Sequence, residues 1–133
     1  MTEKTIIICG KDVKIRYCAA TETGFEQMSG RGIEVFSPTF GKDKEGNTII
    51  KEKPEAVMDD YLKLGASAIV AAYLKDGKEP PISADEILFE ASPQDISTLI
   101  TEVVNLRNEW YAIPSVVKPE MEEKEGEDEG KNA

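Results

Sequence analysis

The apolar and polar positions at the start of the chain predict a β-hairpin over residues 5–17. Residues 5–9, Thr-Ile-Ile-Ile-Cys, are β-branched or apolar, and in residues 13–17 apolar side chains alternate with basic ones. Alternation with a period of two is typical of a strand that buries one face. We expect Gly10-Lys11 to form the connecting turn, because a type II′ turn takes glycine at its first central position.

Further along, apolar residues recur every three to four positions, which is the spacing of amphipathic helices. We predict helices at about residues 21–29, 55–75, 84–91 and 93–110. Pro54 is expected to open the long second helix. Ser83 and Glu86 have the spacing of a capping box for the third helix. We expect that short helix to bury Ile87 and Leu88, with Phe89 as a further candidate.

The remaining segments complete the predicted architecture. Residues 31–53 are rich in turn-forming residues and are interpreted as a mobile loop, with a short strand near Ile33 and a second small hairpin as its candidate elements. Residues 118–133 hold seven acidic residues and three lysines, which predicts a disordered acidic tail. The expected fold class is α+β, mainly α: a single domain over residues 1–117, with an N-terminal β-hairpin followed by a small helical bundle, and then the tail.

Charge and hydropathy narrow the classes of partner. The formal net charge is −10 and the chain has no histidine. Binding to phosphate backbones depends on Lys and Arg, so we expect no nucleic-acid partner. No apolar run approaches the roughly 20 residues of a membrane span, and the short, acidic first segment is not typical of a secretory signal. We therefore expect a cytoplasmic protein without a membrane partner.

No catalytic, cofactor-binding or metal-binding set has the required residue types and spacing. Without histidine, the familiar Cys/His and Ser/His nucleophile arrangements cannot be built. Cys9 and Cys18 are too few for a four-ligand zinc site and are expected to be free thiols. Asp43, Glu45 and Asn47 alternate as calcium ligands do, but the loop glycine is out of register. The sequence therefore indicates a binding or assembly protein and not an enzyme.

Four residues are candidates for a partner-binding surface: Ala68, Ala72, Arg107 and Trp110. The two alanines lie in a slim Ala/Gly-rich stretch at residues 64–72, which suits either close packing of another helix or self-association. Arg107 and Trp110 are three apart on the last predicted helix, so they can stack as a cation–π pair. Both residue types are enriched at interface hot spots. Closure of the core is the alternative role for Trp110.

The order of the predicted elements resembles the tail assembly chaperones of long-tailed bacteriophages and related prophages. The first two predicted strands are joined at Gly-Lys, and their sequence is Ile-Ile-Ile-Cys-Gly-Lys-Asp-Val-Lys-Ile-Arg-Tyr. A short helix ending near a glycine, a long alanine-rich helix, a Ser-x-x-Glu-capped helix, an amphipathic helix and a charged tail follow. The resemblance is one of layout and extends from Thr5 to Trp110.

This resemblance implies a non-enzymatic protein that acts in the host cytoplasm. Such chaperones coat the phage tape-measure protein before tail-tube subunits polymerise around it. The expected partners are thus the tape-measure protein and, secondarily, the tail-tube protein and further copies of the chain. Two other classes stay open: an acidic inhibitor that mimics nucleic acid, and a small structural component of the phage particle.

Overall fold

The computed structural model describes residues 2–112. In chain order the elements are β1 (Glu3–Ile8), β2 (Lys11–Arg16), α1 (Ala19–Ser29), a 3₁₀ helix (Ile33–Phe36), β3 (Thr39–Lys42), β4 (Thr48–Glu52), α2 (Met58–Leu74), α3 (Ala84–Glu90) and α4 (Pro93–Trp110). The predicted fold class is confirmed, because an N-terminal hairpin precedes a mainly helical body. The acidic tail predicted at residues 118–133 and the domain end predicted at 117 lie outside the described residues.

The N-terminal hairpin forms as predicted, but its turn lies one residue earlier. Glu3 lies opposite Arg16, and the turn is Cys9-Gly10, with φ of 52° and 75°. Two positive φ angles are what a type I′ turn requires, so the prediction of a type II′ turn at Gly10-Lys11 was wrong. Both registers leave the same apolar side chains on the buried face, so the apolar pattern does not distinguish them. The observed register brings Glu3 within 3.0 Å of Arg16.

The core lies where one face of the hairpin and α1 and α4 all pack against α2. Its largest fully buried side chains include Ile8, Ile15, Tyr17, Phe25, Leu64, Ile69 and Leu99. α2 is therefore the central element of the body, and it contacts every other α-helix of the described residues.

Small residues on α2 allow this close packing. A Cβ atom at Gly65 would lie 2.7 Å from side-chain carbons of Leu99 on α4. On the α1 side, Ser67 Oγ donates a hydrogen bond of 2.7 Å to the carbonyl oxygen of Thr21. A Cβ atom at Gly24 of α1 would collide with the same Ser67 hydroxyl. The slim stretch predicted at residues 64–72 is thus used within the fold.

Local side-chain caps lie at the starts of both α3 and α2. Ser83 Oγ accepts the Glu86 N–H at 3.1 Å and Glu86 Oε1 accepts the Ser83 N–H at 3.2 Å, which confirms the predicted capping box. α2 begins at Met58, so the prediction that Pro54 opens it was wrong. At its start Asp60 Oδ2 accepts the Val57 N–H at 2.9 Å. The preceding Ala56 N–H donates to the Val35 carbonyl at 2.9 Å, which holds this segment against the 3₁₀ helix.

Residues 31–53 contain more structure than the sequence predicted. The strand expected near Ile33 was wrong, because Val35 and Phe36 are both buried in a 3₁₀ helix. Consecutive strand residues point to opposite faces, so a strand does not bury both on one side. The candidate second hairpin is present as β3 and β4. At the turn of this hairpin, Asp43 Oδ1 accepts the backbone N–H groups of Glu45 and Asn47. The Asp43 carboxylate, which has the spacing of a calcium ligand in the sequence, is therefore engaged in the turn.

Candidate interaction surfaces

The outward face of α2 carries a row of apolar side chains. Leu62, Ala66, Val70 and Leu74 follow one another at intervals of four residues, and residues at this interval share one face of a helix. Val70 and Leu74 are 47% and 66% exposed. Leu62 is half-buried and Ala66 only 6% exposed, so the uncovered apolar part of the row is its C-terminal half, Val70 and Leu74.

α1 and α3 flank this row and turn it into a groove, here called the α2 groove. Three adjoining cavities make up the groove, one of about 450 Å³ between α1 and α2 and two of about 230 Å³ beside α3. Met28 of α1 lines all three. The groove is defined by Met28, Leu62, Ala66, Val70, Leu74, Ala84, Ile87 and Leu88.

α3 contributes an exposed wall because it is only seven residues long. Two turns bury one side only: Ile87 is buried, whereas Leu88 is 57% and Phe89 82% exposed. The prediction that α3 buries Leu88 together with Ile87, with Phe89 as a further candidate, was wrong for both of the added residues. Leu88 instead enlarges the exposed apolar surface beside α2.

The charged residues of the groove lie at its edges. Asp59, Lys63 and Asp85 line the cavity that contains Leu62, and Lys63 Nζ is paired with Asp59 Oδ2 at 2.8 Å. An apolar floor with a polar rim is the arrangement found in protein–protein interfaces. The geometry therefore suits an apolar side-chain row on a partner better than a polar ligand.

The two candidate alanines lie on the opposite, inward face of α2. Ala68 is fully buried and Ala72 nearly so. A partner reaches neither side chain in the folded protein. The sequence left two roles open for the slim stretch, internal packing and self-association. Ala68 and Ala72 are used for internal packing.

Trp110 lies at the end of α4, in contact with the core on one side and exposed on the other. Its ring packs against the buried Tyr17, with centroids 5.5 Å apart, yet the residue remains 39% exposed. The predicted stacking of Arg107 on Trp110 does not occur. The Arg107 guanidinium instead lies over the rings of Tyr111 and Phe36, at 4.9 and 5.9 Å from their centroids.

Arg107 borders a second cavity, here called the Arg107 pocket. The cavity measures about 580 Å³, and its lining includes Phe36, Ser37, Phe40, Ile50, Arg107 and Tyr111. Arg107 is only 9% exposed. Its Nη2 donates to Ser37 Oγ at 3.2 Å, and its Nε is buried without a hydrogen-bond partner.

A shared carboxylate fixes the aromatic wall next to this pocket. Tyr17 Oη donates to Glu22 Oε2 at 2.8 Å, and Tyr111 Oη donates to the same oxygen. Burial and the bond to Glu22 raise the pKa of Tyr17 above its usual value and that of Tyr111 to about 12. Both hydroxyls therefore stay protonated at neutral pH and hold the end of α4 against α1.

The described residues show no candidate metal-binding group. Between residues 2 and 112, no group of three or more acidic or cysteine side chains is arranged to hold a metal ion. Cys9 and Cys18 are free thiols. No helix in this part of the chain has the length and apolar character needed to cross a membrane.

Sequence reasoning did not identify the α2 groove, although its signal was present. The row of Leu62, Ala66, Val70 and Leu74 is visible in the sequence at intervals of four. α2 is apolar around most of its circumference, however, and the sequence does not show which side the rest of the chain covers.

Comparison of the chain with protein-family models, with curated proteins and with solved structures finds no match. The two surfaces and the layout of the elements are therefore the grounds on which a function is proposed.

Proposed function

We propose that the chain is a non-enzymatic tail assembly chaperone of a long-tailed bacteriophage or prophage, which binds helical segments of the tape-measure protein in the α2 groove. The observation that carries the proposal is the apolar groove between α1 and α3, in which α2 exposes Val70 and Leu74. The layout of the elements, described above from the sequence, supports the choice of partner.

The dimensions of the groove suit one face of a helix. Leu62 and Leu74 are twelve residues apart, so the row is about 18 Å long. A partner helix of three to four turns covers that length with apolar side chains at intervals of three and four residues. A long helical protein with repeated apolar stripes offers many such segments.

The groove also suits reversible binding, which a chaperone that leaves the finished assembly requires. Val70, Leu74 and Leu88 are 47%, 66% and 57% exposed, whereas Ala66 and Ile87 are buried beneath them, so a partner contacts a shallow apolar surface and not a deep enclosed site. Modest contacts repeated along one long partner give avidity without any single tight site. The net charge of −10 keeps such a coated complex in solution, in the host cytoplasm where tails are assembled.

The proposal is tested by co-expression with the long helical protein encoded nearest to this chain. The groove variant carries Val70→Lys and Leu74→Lys. The matched control carries Ile7→Lys and Ile49→Lys, at residues that are 64% and 43% exposed and lie outside the groove. We expect the parent and the control to keep the partner soluble and to purify with it.

The groove variant should lose the partner while its own thermal transition stays unchanged. If the partner is equally insoluble with and without the parent chain, and no complex forms, the proposal is wrong. If the groove variant and the control lose the partner to the same extent, binding does not use the α2 groove.

A further inference from the structure

Arg107 is a buried cation without an acidic partner among residues 2–112. It is only 9% exposed, and none of the six ion pairs in this part of the chain involves it. The Ser37 hydroxyl accepts from one guanidinium nitrogen, and Nε has no acceptor. Glu34 lines the same cavity but lies beyond ion-pairing distance of Arg107. Buried charges in proteins are normally paired and hydrogen-bonded, so this guanidinium is a binding group for an anion.

The surroundings of Arg107 favour a carboxylate over other anions. The rings of Phe36 and Tyr111 lie beside the guanidinium, with centroids 5.9 and 4.9 Å from its central carbon. A charge in apolar surroundings is stable only when an opposite charge balances it. Arg107 is the one cation among the described residues that line the cavity, and it balances a carboxylate but not a phosphorylated side chain of about −1.5 to −2 charges. The planar fork of the guanidinium also matches the two oxygens of a carboxylate.

The rim of the Arg107 pocket indicates that the carboxylate belongs to a protein segment and not to a small acid. Phe40 of β3 and Ile50 of β4 lie opposite each other in the second hairpin, and both line the pocket. They are 52% and 58% exposed, and adjoining exposed apolar side chains are typical of binding surfaces. A small carboxylic acid held by Arg107 leaves this pair in water. A peptide with apolar residues on either side of its acidic residue covers both.

We propose that the Arg107 pocket binds an acidic peptide segment of a partner protein, whose Asp or Glu carboxylate pairs with the guanidinium while the flanking apolar side chains pack on Phe40 and Ile50. The net charge of −10 repels an acidic partner at long range, so the local geometry of the pocket provides the recognition. This inference is independent of the chaperone proposal, because the pocket shares no lining residue with the α2 groove.

The test titrates the full ¹⁵N-labelled chain with two pools of capped peptides and follows the arginine Nε–H signals by NMR. The probe pool is Ser-Gly-X-Glu-X-Gly-Ser, in which each X is Leu, Ile, Phe or Tyr, and the matched pool carries Gln in place of Glu. Arg16 and Arg31 are the other arginines of the chain and serve as internal references. We expect the glutamate pool to shift the Arg107 signal and to bind about tenfold more tightly than the glutamine pool, because hydrogen bonds between charged groups are the strong ones.

Two variants and a matched control locate the binding on the protein. Arg107→Gln removes the cation and should abolish the preference for glutamate. Ile50→Thr removes an exposed apolar contact at the rim and should weaken binding of the glutamate pool severalfold. Ile49→Thr is the control, because this neighbour on β4 is also exposed, at 43%, but points to the other face of the strand and does not line the pocket. The two threonine variants decide the test if Arg107→Gln does not fold.

Three outcomes overturn the proposal. In the first, the Arg107 signal stays in place with both pools, or both pools shift it at the same concentration. In the second, Ile50→Thr and Ile49→Thr weaken binding equally, which shows that the peptides do not use the rim of the pocket. In the third, the Arg107 signal of the free chain moves with protein concentration, which shows that a second copy supplies the anion. None of these results bears on the α2 groove, which the co-expression experiment tests separately.

Discussion

The inward and outward faces of α2 carry similar apolar side chains in opposite environments. Inward, Leu64 and Ala68 are fully buried against the rest of the body. Outward, Val70 and Leu74 remain exposed between α1 and α3. A helix that is apolar around its circumference is normally covered on all sides. The described residues cover the inward side fully but leave Val70 and Leu74 exposed on the outward side.

The difference also predicts how each face responds to substitution. The inward face is packed against other elements, and changes there alter the free energy of unfolding. The outward face contacts mostly solvent, and changes there alter binding. Each of the following variants tests that separation.

The largest effect is expected for Ala68→Glu on the inward face. Placing an unpaired charge at this fully buried position should lower the free energy of unfolding by about 3–5 kcal/mol, which is enough to unfold a small domain. Circular dichroism during thermal denaturation measures the loss. Val70→Glu is the matched control on the same helix and should melt close to the parent. A cooperative transition of Ala68→Glu near that of the parent would contradict the assignment of the inward face.

Overpacking of the contact between α2 and α4 should have an intermediate effect. Gly65→Val places carbons where Leu99 already lies, since even a Cβ atom there is 2.7 Å from that side chain. We expect a loss of about 1–3 kcal/mol in urea denaturation.

A double-mutant cycle separates this collision from a general effect of valine. Leu99→Ala removes the colliding atoms, so Gly65→Val should be less destabilising in that background than in the parent. Equal losses in the two backgrounds would show that the close approach is not what Gly65 provides.

The wall of the groove is tested by Ser83→Ala at the start of α3. The substitution removes the acceptor for the Glu86 N–H, at an expected cost of about 0.5–2 kcal/mol. Hydrogen exchange should show faster opening of α3 than of the inward face of α2. Coincident urea midpoints for this variant and the parent would indicate that the cap does not hold the wall in place.

The sequence predicted elements well where the signal lies within a few residues. The predicted bounds 93–110 match α4, and the Ser83–Glu86 box starts α3 as expected. α1 begins two residues before its predicted start, at Ala19, because Thr21 Oγ1 accepts the Cys18 N–H at the helix start. Cysteine is not a common N-cap residue, so this start had no clear sequence signal.

Features set by contacts between distant residues were not predictable in the same way. The segment before α2 is held by the bond from Ala56 to Val35, about twenty residues away, and the turn of the first hairpin has two positive φ angles that the apolar pattern does not reveal. The candidate surface shows the same division. Sequence reasoning singled out Ala68 and Arg107 by residue type, but the groove exists only because α1 and α3 lie on either side of α2.

The smallest stability effect is expected for Val70→Lys with Leu74→Lys on the outward face. Both side chains are already exposed, so little apolar burial is lost. Lysine has a higher helix propensity than valine, and position 74 is in the last turn of α2, where a cation interacts favourably with the helix dipole. We expect the free energy of unfolding to change by less than about 0.5 kcal/mol, as measured by urea denaturation at two protein concentrations.

A loss above about 2 kcal/mol, beyond what surface substitutions cause, would mean that the outward face is covered in the free protein. If that loss grows with concentration, the cover is a second copy; if it does not, the cover is part of the same chain. Either result would remove the difference between the two faces on which the proposed groove depends.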